Sequence, residues 1–277
     1  MHRKFIPVSP SPSTNNSTMC KQRLLIAFLL SVGLIGVFSY LGSTTIRNRH
    51  QNKMPDNNGS GFAVVELFTS EGCSSCPPAD EAVAQLLKSG QKNVYVLGFH
   101  VDYWNSLGWK DIFSNADYST RQQEYGKVFR LNSVYTPQAV VNGKTEFTGS
   151  DTKRLHDAVE EGLTLGAGNT IELSAKVAAD NNVVVAFKLQ SPINNGTVNI
   201  ALVQLHAQSN VQRGENSGRV LNHVNVVRCL KTIRAGQTPA QITLAMPIGV
   251  TAENCEIIAF TQDEHLQITS ATETTLH

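Results

Sequence analysis

Val64-Val-Glu-Leu-Phe-Thr-Ser-Glu-Gly-Cys-Ser-Ser-Cys-Pro-Pro-Ala-Asp80 is the stretch from which the rest of the chain is read. Its apolar run, Val64–Phe68, predicts a short buried strand. Ala82, Val83, Leu86 and Leu87 recur at helical spacing after it. Proline is tolerated in the first turn of a helix, so Pro77 and Pro78 predict a helix that begins at the cysteines. The Cys73 sulfur is then expected beside free backbone N–H groups at the positive end of the helix dipole. Such a place favours a thiolate. Strand, C-x-x-C, helix is a pattern of redox chemistry. Zinc or a structural disulfide are the other readings. The sequence has no second C-x-x-C and no H-x-x-x-H-type pair, and Cys229 and Cys255 stand alone.

The chain has 277 residues, 41% hydrophobic and 16% charged, with a net charge of +1. That length supports one large domain or two modest ones. Near-neutral charge gives no support for nucleic acid as a partner. Five cysteines are too few for a disulfide scaffold.

Residues 1–23 are polar and read as a disordered cytoplasmic tail. Residues 24–41 form an apolar run near the lower length limit for crossing a bilayer. Lys21 and Arg23 before it favour a signal anchor with a cytoplasmic N-terminus. The alternative is a cleaved signal and a secreted chain. Either way the remainder is expected in the bacterial periplasm, anchored in the inner membrane in the first case. Residues 42–61 read as a flexible linker.

A folded domain is expected over 62–166. Asn93–Phe99 predicts a second buried strand, joined to the first by a right-handed crossover. This brings His100, Asp102, Tyr103 and Trp104 near Cys73 and Cys76. The aromatic segment His100–Trp109 reads either as a packed loop or as a rim around the thiols. Tyr118–Leu131 predicts a helix. Thr136-Pro137 then precedes a strand fragment, and Asn142-Gly143 predicts a hairpin turn. Ser150-Asp151 caps a further helix.

Strand, C-x-x-C, helix, strand, helix, Thr-Pro, strand, Asn-Gly, strand, helix resembles the thioredoxin order. The strings Glu66–Asp80, His100–Trp104 and Val134–Gln138 are also similar to an exported bacterial thioredoxin-like family of unknown function, DUF1223. The resemblance implies an α/β thioredoxin-like domain in which a cis Pro137 faces the cysteines. It also implies a buried acid beneath the thiols, for which Glu66 is the nearest residue. Glu66 is one position out of register, and Gly72 stands where thioredoxins carry Trp.

From 167 to 277 the pattern is all β, and an all-β sandwich-like domain is expected. Gly214-Glu-Asn-Ser-Gly-Arg219 reads as a long hairpin loop or as a loop that docks on the thiol edge. Without a Walker-type Lys-Ser/Thr it is weak evidence for phosphate. Cys229 and Cys255, on separate strands, are candidates for a bridge across the sandwich.

These readings converge on periplasmic thiol–disulfide exchange with protein or small-molecule thiols and disulfides, and no cofactor. Cys73 is the expected attacking thiolate and the more exposed cysteine. Cys76 is the resolving thiol, and Thr136-Pro137 offers a backbone edge to substrate. His100 and Glu66 are proton-transfer candidates. Two alternatives stay open. One is a non-catalytic partner-binding module. The other is copper delivery through Cys73, Cys76 and His100.

Overall fold

The computed structural model describes residues 61–166, 171–234, 236 and 241–276. The expected tail, the apolar run 24–41 and the linker up to residue 60 lie outside the described residues. Among those described, no helix is long and apolar enough to cross a membrane.

The first half runs β1 (Ala63–Thr69), α1 (Pro77–Lys88), β2 (Val94–His100), α2 (Ala116–Val128), β3 (Gln138–Val141), β4 (Thr145–Thr148) and α3 (Thr152–Thr164). The second is β5 (Ile171–Val177), β6 (Asn182–Leu189), β7 (Thr197–Asn210), β8 (Val220–Arg234), β9 (Gln241–Ala245), β10 (Cys255–Gln262) and β11 (Ile268–Thr275).

Every residue of β1 is buried, and alternation explains why. Ala63, Val65 and Leu67 face α1 and α3, packing on Ala79, Val83, Leu86 and Leu155. Val64 and Phe68 face the other way, towards Tyr118 and Tyr125 of α2. A strand covered on both faces needs a continuous apolar run, and this one has it apart from Glu66. At the β3–β4 hairpin Asn142 and Gly143 take φ of 52° and 64°, and the Lys144 N–H closes the turn on the Val141 carbonyl, as a turn with both central residues left-handed requires. A side chain on Gly143 would also run into the Leu266 carbonyl.

The expected fold class is corrected here. The architecture is mostly β, and it is not an α/β thioredoxin-like domain followed by a separate sandwich. One mixed eight-stranded sheet has the order β11-β10-β7-β8-β2-β1-β3-β4, so it takes strands from both halves. Its seam is the parallel bridge Gly98–Val226 between β2 and β8. Glycine lets the strands approach closely at this crossing, since a Cβ there would stand 3.3 Å from the Asn225 carbonyl and press on it. Only β5, β6 and β9 form a second sheet. It packs through Val183, Val185 and Phe187 on Ile200, Leu202 and Ile257 of the large sheet. The other face of the large sheet shares one core between Phe68 and Phe99 of the first half and Val203, Val227 and Phe260 of the second. Periodicity reports which residues are buried but not which strand lies alongside, so the continuity of the sheet was hidden.

Candidate functional site

Cys73 and Cys76 are joined by a disulfide, with their Cα atoms 5.4 Å apart. Cys76 is the N-cap of α1, and Pro77 is its first residue. The Cys76 carbonyl accepts from the N–H groups of Ala79 and Asp80, which locks the motif to the first helical turn. Both cysteines are 0% exposed, while Ser74 and Ser75 between them are exposed. The expectation that Cys73 is the more accessible is therefore corrected. Ser75 Oγ stands 3.3 Å from Cys73 Sγ.

The segment 211–219 between β7 and β8 clasps the motif. Asn216 Nδ2 donates to the carbonyls of Glu71 and Cys73, each at 2.9 Å. Glu215 Oε2 accepts from the Ser74 N–H at 3.0 Å and from Ser74 Oγ at 2.7 Å. Arg219 Nη1 donates to Asn216 Oδ1 at 2.8 Å and steadies the amide. The loop also closes on itself, Gly218 N–H to the Val211 carbonyl. Of the two readings of this loop, docking on the thiol edge is the one observed. Beside it, a groove of about 320 Å³ opens between Pro77, Pro78 and Glu81 of α1 and Arg219–Asn222.

Beneath the motif lies a buried polar cluster. His100 Nδ1 bonds Asp111 Oδ2 at 2.7 Å. That oxygen also accepts from the Glu71 N–H, and Asp111 Oδ1 accepts from the Phe113 N–H. Burial pushes the Asp111 carboxyl up, but His100 and these N–H groups outweigh it and hold it below the usual value. The ring of His223, on β8, meets that of His100 edge-on at 4.8 Å. Its nitrogens lie between Glu71 and Asp80. Burial lowers the His223 pKa, but contacts with the Asp80 and Glu71 carboxylates lift it to about 9. Trp109 Nε1 donates to Glu71 Oε2 at 2.6 Å.

The profile of the family described as "Protein of unknown function (DUF1223)" matches residues 64–262. The chain belongs to the DUF1223 family. The matched residues include the cysteine motif, the clasping loop and His223. The DUF1223 chain is similar to the crystal structure of protein AGR_C_4864 from Agrobacterium tumefaciens. The identity is 28% and the TM-score 0.57, over 77% of this chain and 93% of that one. HBP35 of Porphyromonas gingivalis shares the fold at 15% identity and a TM-score of 0.51, over 79% and 76% of the two chains. No curated protein matches.

Within this DUF1223 chain the expected site residues divide. The Thr136–Pro137 bond is cis. A Cβ on Gly149 would touch both Pro137 Cβ and Ala79 Cβ, so this loop lies beside the first turn of α1. Trp104 Nε1 donates to Thr136 Oγ1 at 2.8 Å, and Trp104 Cβ packs against Gly72. Trp104 is thus the aromatic that ties the proline loop to the motif. Asp102 and Tyr103 turn instead to α2, bonding Ser119 Oγ and Gln122 Oε1.

Glu66 is corrected to a structural role. It lies on the β1 face opposite α1, fully buried. Its carboxylate accepts from Arg121 Nε at 2.6 Å, Arg121 Nη2 at 2.9 Å and Tyr125 Oη at 2.6 Å. Three donors hold this carboxylate away from the thiols, and the one-residue register offset is the reason. Cys229 and Cys255 are free cysteines, which corrects the expected bridge. They sit on β8 and β10, the two neighbours of β7, opposite Leu202 and Gln204. Two strand spacings, roughly 9–10 Å, exceed the reach of a disulfide. For copper, Cys73 and Cys76 are bonded to each other and His100 Nδ1 is held by Asp111. No group of three His, Cys, Asp or Glu among the described residues is arranged to hold a metal ion.

Sequence reasoning missed Glu71, Asp80, Asp111 and His223 as site residues, and reached Glu215 and Asn216 only as members of the Gly214–Arg219 loop. Glu71 and Asp80 flank the motif and were visible as charged residues beside it. The loop Gly214–Arg219 carried Asn216 in its docking reading, but nothing local assigns a role to His223, which meets the motif only because β8 joins β2.

Proposed function

We propose that the chain carries out thiol–disulfide exchange through the Cys73–Cys76 couple. The observation that carries this is the disulfide across a two-residue loop at the head of α1. Long structural bridges restrict the unfolded chain most, whereas a loop this short contributes little of that kind. Its value is chemical. In the reduced state Cys73 attacks a substrate disulfide, and Cys76, held in the helix cap, resolves the mixed disulfide. Ser75 Oγ is placed to donate to a Cys73 thiolate. The cis Thr136–Pro137 peptide beside α1 offers the edge on which an extended substrate segment would lie. Since neither sulfur is exposed, exchange requires the surroundings of the motif to open, and the 211–219 loop clasped on Ser74 is the segment expected to move. Protein or small-molecule disulfides in an oxidising compartment such as the periplasm are the substrates this chemistry suits.

The test is a titration of the purified protein in buffers of dithiothreitol and its oxidised form, with alkylation reporting thiols at each potential. Reversible two-electron behaviour assigned to Cys73 and Cys76 is expected. A pair that stays oxidised at every potential that leaves the fold intact would identify a purely structural bridge instead.

A further inference from the structure

His223 is 3% exposed. Its Nε2 stands 3.7 Å from Glu71 Oε1 and its Nδ1 3.6 Å from Asp80 Oδ2. Neither nitrogen makes a hydrogen bond, and neither does Glu71 Oε1. Folded interiors seldom leave such groups unpaired, and those they do leave call for a reason. The packing around the ring is complete. Glu71 faces it from the β1–α1 turn, Asp80 from α1, and His100 with its partner Asp111 from β2 and the following loop. Phe113 covers a further side at 5.7 Å, with the Arg228 guanidinium over the Phe113 ring.

The cluster grips both ends of the cysteine motif. Glu71 is two residues before Cys73, and one Asn216 amide joins their carbonyls. Asp80 is four residues after Cys76 and donates its N–H to the Cys76 carbonyl at 3.1 Å. These two residues bracket the motif in sequence, and carboxylates flanking it oppose the appearance of a third negative charge there. An imidazolium between them relieves that opposition and carries a proton that can be given up.

We propose that His223 stores the proton that the Cys73–Cys76 couple takes up on opening, acting through the carboxyl groups of Glu71 and Asp80. The inference rests on the exchange reading above. An external thiolate forms a bond to Cys73 Sγ, the Cys73–Cys76 bond breaks, and its electron pair goes to Cys76 Sγ. The external sulfur is oxidised and Cys76 is reduced. A proton passes from His223 to one of the two carboxyl groups and on to the Cys76 thiolate. His223 is left neutral until solvent returns a proton. Closing of the disulfide runs the transfer in reverse. His223 is thus a positioning residue for the proton, without contact with substrate. The elevated proton affinity of His223 agrees with a group that is charged at neutral pH.

The test uses the whole protein and two readouts. The first follows the His223 ring protons by NMR against pH in the oxidised and reduced forms. Titration near pH 9 is expected in the oxidised form, with at least a tenfold change in proton affinity on reduction. An unchanged titration overturns the inference, because linkage between the sites must be reciprocal. The second is the rate of opening by dithiothreitol, corrected for the ionised fraction of that reagent. In the wild type it should fall about tenfold per pH unit above pH 9, and His223→Gln should be at least tenfold slower at pH 7 without that break. A variant with the wild-type profile overturns the proposal. Should His223→Gln not fold, Asp80→Asn should move the break down by about one pH unit, and an unmoved break again overturns it. A disulfide that dithiothreitol cannot open removes the exchange reading and this inference together. The two pH arms fail for the inference alone.

Discussion

Asn216 reaches across 143 residues of sequence to donate its side-chain amide to the carbonyl oxygen of Cys73 at 2.9 Å. The same nitrogen holds the Glu71 carbonyl, so one side chain from the β7–β8 loop fixes the backbone on both sides of Gly72. Asn216→Ala removes this donor from a buried place. The expected cost is about 1–3 kcal/mol in urea unfolding of the oxidised protein. The same change should open the disulfide to dithiothreitol faster than in the wild type, since the clasping loop loses its hold. Slower or equal opening would mean that the loop does not limit access.

Glu215→Gln probes the other clasp. The carboxylate that accepts from the Ser74 N–H and hydroxyl becomes a neutral amide, and charge-assisted bonds are roughly twice as strong as neutral ones. Ser74 is exposed, so stability should change by less than about 1 kcal/mol while opening of the disulfide accelerates. The contrast between a small stability change and a clear rate change is the diagnostic, read by urea melts and stopped-flow alkylation.

Glu66→Gln tests whether Glu66 has any part in the chemistry. Removing its charge leaves Arg121 buried without its bidentate partner, at an expected cost of about 3–5 kcal/mol. The pH dependence of disulfide opening should nevertheless keep its wild-type shape. A changed profile in a folded variant would return Glu66 to the reaction.

Stability should fall from mildly acidic to alkaline pH, for two reasons of the same sign. His223 has a folded pKa of about 9, above the ordinary histidine value of 6.5. Its contribution is complete below pH 6.5, declines as pH rises and is gone above about 9. The shift corresponds to something on the order of 3 kcal/mol. Glu256 is raised by burial first, and next by Glu273, to about 7, so its buried carboxyl favours folding below about 4.5 and ceases to do so above 7. Asp111 works oppositely, contributing above its unfolded value and losing that contribution as pH drops below it. Urea melts at pH 5, 7 and 9.5 should show progressive loss, and His223→Gln should flatten the step between 7 and 9.5.

Among the described cysteines, alkylation of the denatured but unreduced protein should label Cys229 and Cys255 and spare Cys73 and Cys76. In the native state these two thiols should react slowly. Burial pushes the Cys229 thiol up and the Cys255 thiol to about 11. A mass shift for a 229–255 bridge would contradict the strand order itself.

Local elements were legible where chemistry is local. The proline pair marked the start of α1, Asn142-Gly143 marked the β3–β4 hairpin, and Asp151 caps α3 through the Arg154 N–H. The runs read as β in the second half correspond to β5 through β10. What stayed hidden was lateral. Val226 has the same alternation whether its neighbour is another strand of a sandwich or Gly98 of β2. The partition into two domains followed from that ambiguity. The site shares its fate: Cys73, Cys76, Thr136 and Pro137 were found by motif, whereas His223 comes to the motif only through the β2–β8 seam. Glu66 was named for its place on the strand, and its side chain proved to be committed to Arg121.

The seam also sets an order of events in time. A chain made from its N-terminus presents Cys73 and Cys76 long before it presents the residues that enclose them. At ~5–20 residues per second, His223 follows Cys73 by roughly 8–30 s. During that interval the cysteines have strand β1 and helix α1 to organise them, but neither the amide of Asn216 nor the imidazole of His223. Oxidants and other thiols therefore meet a naked pair first and an enclosed one later. The pair is complete in sequence well before the residues that enclose it have been made.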